Sequence, residues 1–141
     1  MLFAPFFLKI CPEVVSKFRK HTFMDALDIK GNKFKRYSTE YGEAKRTGKL
    51  RRQATEFANS TAPVLTSDLL RDWTMRKTST SGFTFGTLAH GGKVDHLAKL
   101  GRVISTEAKP IPDKIAKYVM DQADKYVMKK LGKIKGRTFN I

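Results

Sequence analysis

Apolar residues first show a regular spacing in "PEVVSKFRKHTFMDAL", where Val14, Val15, Phe18, Thr22 and Ala26 recur every three to four positions. One face of a helix collects such positions. Pro12 suits a first helical turn and Glu13 suits the positive end of the helix dipole, so the pattern predicts a helix over 12–26. A second helical stretch is "PDKIAKYVMDQADKYVMKKLG". Ile115, Val119, Ala123, Tyr126, Val127 and Leu131 form its stripe, Pro112 and Asp113 mark its start, and Gly132 marks its end. Between these two, "WTMRKTSTSGFTFGTLA" alternates with period two on either side of a Ser/Gly turn, which predicts a β-hairpin.

Shorter signals fill the rest. Gly31-Asn32 predicts a tight turn between Ile29 and Phe34. Ser38 reads as an N-cap, Glu40 as a first-turn acid, Lys45 and Arg46 as last-turn bases and Gly48 as the stop of a helix of about nine residues. Leu69, Leu70 and Trp73 fall on one helical turn, and a short helical piece is expected near Val94 to Leu100. The order predicts an α+β fold. A small antiparallel, hairpin-based sheet packs against an N-terminal helix and a long C-terminal helix, with extended arms. The expected core is Trp73, Phe83, Phe85, Ile115, Val119, Tyr126 and Leu131.

At 141 residues the chain fits a single domain, 1–141. Three segments read as appendages: an apolar arm over 1–11, a basic arm over 28–52 and a basic tail over 133–141. The opening "MLFAPFFLKIC" lacks the basic start and cleavage site of a signal peptide and is too short to span a bilayer. It reads as a strand or arm packed on the domain or on a neighbour. One cysteine, Cys11, excludes an intrachain disulfide.

Charge changes the picture most. The chain holds 28 Lys and Arg against 13 acids, a net +15. Such a field favours polyanions. It concentrates in 28–52, where nine Lys or Arg (Lys30, Lys33, Lys35, Arg36, Lys45, Arg46, Lys49, Arg51, Arg52) meet three acids, with Phe34, Tyr37 and Tyr41 interleaved. Aromatics within a basic stretch can stack on unpaired bases, but helical spacing such as theirs more often means packing inward. The nearby "TGK" is no phosphate loop. Gly42 and Gly48 are separated by five residues rather than four, Leu50 stands where a hydroxyl is required, and no apolar strand precedes it.

Enzymatic chemistry finds no footing in the sequence. His21, His90 and His96 have no zinc spacing with Cys11. Ser67 and Ser81 lack a nucleophile-elbow setting. Asp68 and Asp72 read as a solvated helix face. No cofactor is expected.

The order of motifs resembles the small virion morphogenesis proteins of tailed bacteriophages: tail-completion, neck, head–tail joining and minor tail proteins. The segment "DIKGNKFKRYSTEYGEAK" fits their pattern G-x-x-F-x-x-Y-x-x-x-Y-x-x-x-K at Gly31, Phe34, Tyr37, Tyr41 and Lys45. A later L-T-G-x-L pattern resembles Leu65, Thr66 and Leu69, with Ser67 in the glycine's place. A final R-P-F is matched only by Lys109, Pro110 and Ile111. The resemblance spans roughly residues 24–131. It implies a non-enzymatic structural protein of the virion, assembled in the host cytoplasm, that joins head or connector to tail as a sixfold or twelvefold homo-oligomeric ring. Its partners would be other connector and tail proteins, with non-specific contact to DNA in the channel and none to membrane. The alternative reading from charge is a small basic DNA- or RNA-binding protein.

Overall fold

Sixteen residues, Ala4–Arg19, form the first helix, α1. The computed structural model describes residues 3–50, 57, 59–62 and 68–138, with side chains on the last helix described to 133. The segment expected as an apolar arm is therefore the start of α1 from residue 4, and Pro12 lies inside the helix rather than at its first turn. An internal proline deletes the bond to the carbonyl four residues back. Here that carbonyl belongs to Leu8, whose side chain is 53% exposed, so Pro12 sits on the face turned to water. The opposite face is buried: Phe6, Ile10, Cys11, Val14, Val15 and Phe18.

The helix then widens into a π-turn, Lys20–Met24, with the Asp25 N–H donating to the Lys20 carbonyl at 2.8 Å. The wider turn buries three consecutive residues, His21, Thr22 and Phe23. Ala26, with φ +55°, ends it in the left-handed region. All five positions read as one helical face, Val14 to Ala26, are buried. The spacing was legible; the helix start was not.

The remaining elements are α2 (Thr39–Arg46), α3 (Asp68–Asp72), β1 (Thr74–Thr78), β2 (Phe83–Gly86), α4 (Gly91–Lys99) and α5 (Asp113–Thr138). Among the described residues the fold is α+β, five α-helices with a small two-stranded antiparallel sheet against which α1 packs. Thr74 pairs with Gly86 and Thr78 with Phe83, with a bulge between Met75 and Lys77. The second strand stops at Gly86, short of the alternation that extends to Ala89 in the sequence. There Asp72 intervenes: its Oδ2 accepts from the N–H groups of Ala89 and His90 at 2.9 and 2.8 Å. Asp72, expected on a solvated face, thus clamps the turn that leads into α4.

The core is aromatic. Phe18, Trp73 and Phe85 meet with ring centroids 4.6, 5.2 and 5.7 Å apart. A second cluster joins Phe3, Phe6 and Phe7 to Tyr126 of α5 and Phe83 of β2. The Arg19 guanidinium donates to the carbonyls of Arg71 and Trp73, which ties the end of α1 to the start of the hairpin. Of the expected core, Trp73 and Ile115 are buried and Phe83, Phe85, Val119 and Tyr126 pack half-buried against it. Leu131 does not belong to it. It is 41% exposed, because Tyr126 is the last described side chain of α5 packed on the core. Nor does Gly132 stop α5, which runs on to Thr138. A glycine inside a helix costs only about 1 kcal/mol, and residues 133–138 of the expected tail are helical.

Candidate interaction surface

The basic segment begins in a loop fastened from both ends. Asp28 organises it: its Oδ1 accepts from the N–H groups of Lys30 and Asn32, both at 2.9 Å. Gly31 takes φ +86°, where a side chain would be strained, and donates to the Asp28 carbonyl. Leu27 and Lys33 close the loop as a β-bridge. The Ile29 N–H bonds to the Val103 carbonyl at 3.0 Å, and Ile29 and Phe34 are buried. Lys30, Lys33, Lys35 and Arg36 are left on the outside.

Next comes α2, capped as its sequence predicts. The Ser38 hydroxyl accepts from the Tyr41 N–H, and Gly48, at φ +71°, closes the C-terminus. Its cations divide. Arg46 and Lys49 are exposed, with Arg46 3.9 Å from Glu43. Lys45, by contrast, is 1% exposed. Its ammonium donates to the carbonyls of Ser60 at 2.8 Å and Ala62 at 3.2 Å and lies 4.8 Å from the centre of the Tyr37 ring. The Tyr37 hydroxyl donates to the same Ala62 carbonyl at 2.8 Å, and Tyr41 packs on Tyr37 with centroids 4.7 Å apart.

Arg102 completes this cluster from a distant part of the chain. Only 7% exposed, it stacks 4.1 Å from the Tyr37 ring and donates to the Lys35 carbonyl at 2.9 Å. Burial of two cations beside one ring has electrostatic consequences. Desolvation, aided by the Arg102 charge, lowers the Lys45 ammonium to about 8. Desolvation raises the Tyr37 phenol to about 12, against the opposing pull of Arg102.

The basic segment is therefore a packed part of the domain over 28–50 rather than an extended arm awaiting a partner. Lys45, counted among the outward contacts, points inward. Arg51, Arg52, Leu65 and Thr66 lie outside the described residues. Each position of the G-x-x-F-x-x-Y-x-x-x-Y-x-x-x-K pattern has a local role. Gly31 turns the loop, Phe34 anchors it, Tyr37 and Tyr41 stack, and Lys45 ties α2 to 60–62. Leu69 is buried in the core, and the Pro110 carbonyl accepts from the Ser105 hydroxyl at 2.8 Å. Arg102 carried no local signal in the sequence; only the tertiary fold brings it to Tyr37.

A cleft of about 260 Å³ opens beside α2, walled by Arg36, Ser38, Thr39, Arg46, Ser60 and Thr61 among others. Arg36 and Arg46 stand on its wall, and Lys30, Lys33, Lys35 and Lys49 are exposed elsewhere on the same segment. Among the described residues no group of three or more His, Cys, Asp or Glu is placed to hold a metal ion, and no helix is long and apolar enough to cross a membrane. Compared with protein-family models, with curated proteins and with solved structures, the chain finds no match.

Proposed function

We propose that the chain is a non-enzymatic structural subunit of a tailed-phage particle, positioned at the neck or tail-completion ring, where its cationic face docks on acidic surfaces of neighbouring subunits. One observation carries the reading. Tyr37, Tyr41 and Lys45 pack together, Gly31 and Phe34 shape the loop before them, and the segment these pattern residues fold carries the exposed cations Lys33, Lys35, Arg36, Arg46 and Lys49. A fixed charged face repeated around a closed ring supplies avidity from contacts that are individually weak.

The test is quantitative mass spectrometry of purified particles after nuclease treatment and a high-salt wash. A fixed low copy number, about six or twelve as closed rings give, supports the role. Absence from particles, or recovery only with nucleic acid, overturns it. The same cationic face favours a second reading as a DNA- or RNA-binding protein. Replacing Lys33, Lys35, Arg36, Arg46 and Lys49 by Gln separates the two. A nucleic-acid binder loses affinity and its salt slope flattens. A docking subunit loses particle assembly while its binding to free nucleic acid barely changes.

A further inference from the structure

The last helix continues past its last described contact with the core. Tyr126 is the last described side chain of α5 packed on the core, yet the helix extends to Thr138. Twelve further residues add about 18 Å of helix. This overhang is built differently from the half before it. Asp113, Asp121 and Asp124 balance the first part, but from Lys125 onward the sequence holds Lys125, Lys129, Lys130, Lys133, Lys135 and Arg137 and no acid. Lys125, Lys129 and Lys133 are exposed and recur every four residues, a spacing at which like charges repel along a helix. Beside them Met128 is 69% exposed and Leu131 41%. A helical stretch with repelling charges and two exposed apolar side chains gains little from standing in water.

We propose that the outward face of α5 from Lys125 to Lys133 is a docking surface for an acidic amphipathic helix of a partner protein. Charge complementarity selects the occupant. Glutamates flanking an apolar seam relieve the repulsion among Lys125, Lys129 and Lys133, while the seam covers Met128 and Leu131 at the i, i+3 spacing of helix-in-groove recognition. Phosphates would answer the lysines and leave Met128 and Leu131 in water. A bilayer surface would take a broader apolar face bearing aromatic side chains, whereas Tyr126 is turned away, packed on Phe3 and Phe6. Met120, also exposed, is excluded from the surface by Asp121 and Asp124 beside it. This inference stands apart from the virion reading, since it rests on the charge and exposure of α5 alone.

The full chain is titrated, by fluorescence anisotropy, with a labelled acidic amphipathic peptide carrying Leu at i, i+3, i+7 and Glu elsewhere. A scrambled peptide of the same composition, a short DNA duplex and vesicles of phosphatidylserine and phosphatidylcholine in equal parts serve as comparisons. The ordered peptide binds at least about tenfold tighter than the scrambled one. Met128→Gln with Leu131→Gln abolishes that difference. Lys125→Gln, Lys129→Gln and Lys133→Gln together weaken binding and flatten its salt dependence. Both sets lie off the core, and unchanged circular dichroism of the variants verifies that the fold survives them. Equal binding of the two peptides, tighter binding of duplex or vesicles, or no effect of either variant set overturns the proposal.

Discussion

Phe18 and Lys45 are almost equally buried, at 0% and 1% exposure, but they hold their regions by opposite means. Phe18 sits among Trp73 and Phe85, where shape and apolar area provide the stability. Lys45 sits between a tyrosine ring and two carbonyls, where each polar atom must be matched before burial is tolerated. The first arrangement tolerates any pH and resists salt. The second is sensitive to both protonation and the loss of one oxygen. The domain thus has an apolar keel, α1 with the hairpin, and a polar-fastened platform, the 28–50 segment, whose attachment is the more conditional of the two.

The largest effect that separates these regions is Phe18→Ala, expected to cost about 3–5 kcal/mol because the surrounding rings cannot close the space. Chemical denaturation measures it, and a cost near that of a surface substitution would remove the keel from the comparison. Lys45 supplies the next test through pH. Its folded value of about 8 lies below its ordinary 10.5, so between these the unfolded state binds more protons and stability rises with pH. Tyr37, at about 12 against an ordinary 10.0, works in reverse and stability falls across that window. Relative to Lys45→Met, the wild-type chain should gain about 1–3 kcal/mol from pH 8 to 10.5; parallel curves for the two proteins would show that burial leaves the ammonium unperturbed. Tyr37→Phe, which deletes one hydrogen bond to Ala62, is expected to cost about 1 kcal/mol and to abolish the fall between 10 and 12. Smallest of all is Leu131→Gln, expected to stay within about 0.5 kcal/mol. A larger loss would place the α5 overhang back on the body.

What could be read from the sequence was what the chain decides locally. Ser38, Glu40 and Gly48 bracket α2 because caps act within a turn, and Gly31-Asn32 turns the loop for the same reason. The Val14 to Ala26 face was legible through periodicity, whereas Phe34 is buried from a loop ahead of α2, where helical spacing does not apply. Failures came where a local signal met a distant condition. Pro12 and Gly132 both read as helix ends. The first is accommodated on the exposed face of α1, and the second because one glycine is outweighed by the residues around it. The inward turn of Lys45 and the role of Arg102 depend on carbonyls and rings brought together across 15 to 67 residues of chain, which no spacing rule reports.

Cys11 gives the molecule its own clock. It is the sole thiol in the chain, fully buried in α1, and burial raises its pKa and so keeps it from ionising. A thiol reagent can reach it only when the packing over its face of α1 opens. The rate of labelling in the native protein therefore counts those openings, and comparing that rate with and without a bound partner reveals whether docking at one end of the molecule is felt along its keel.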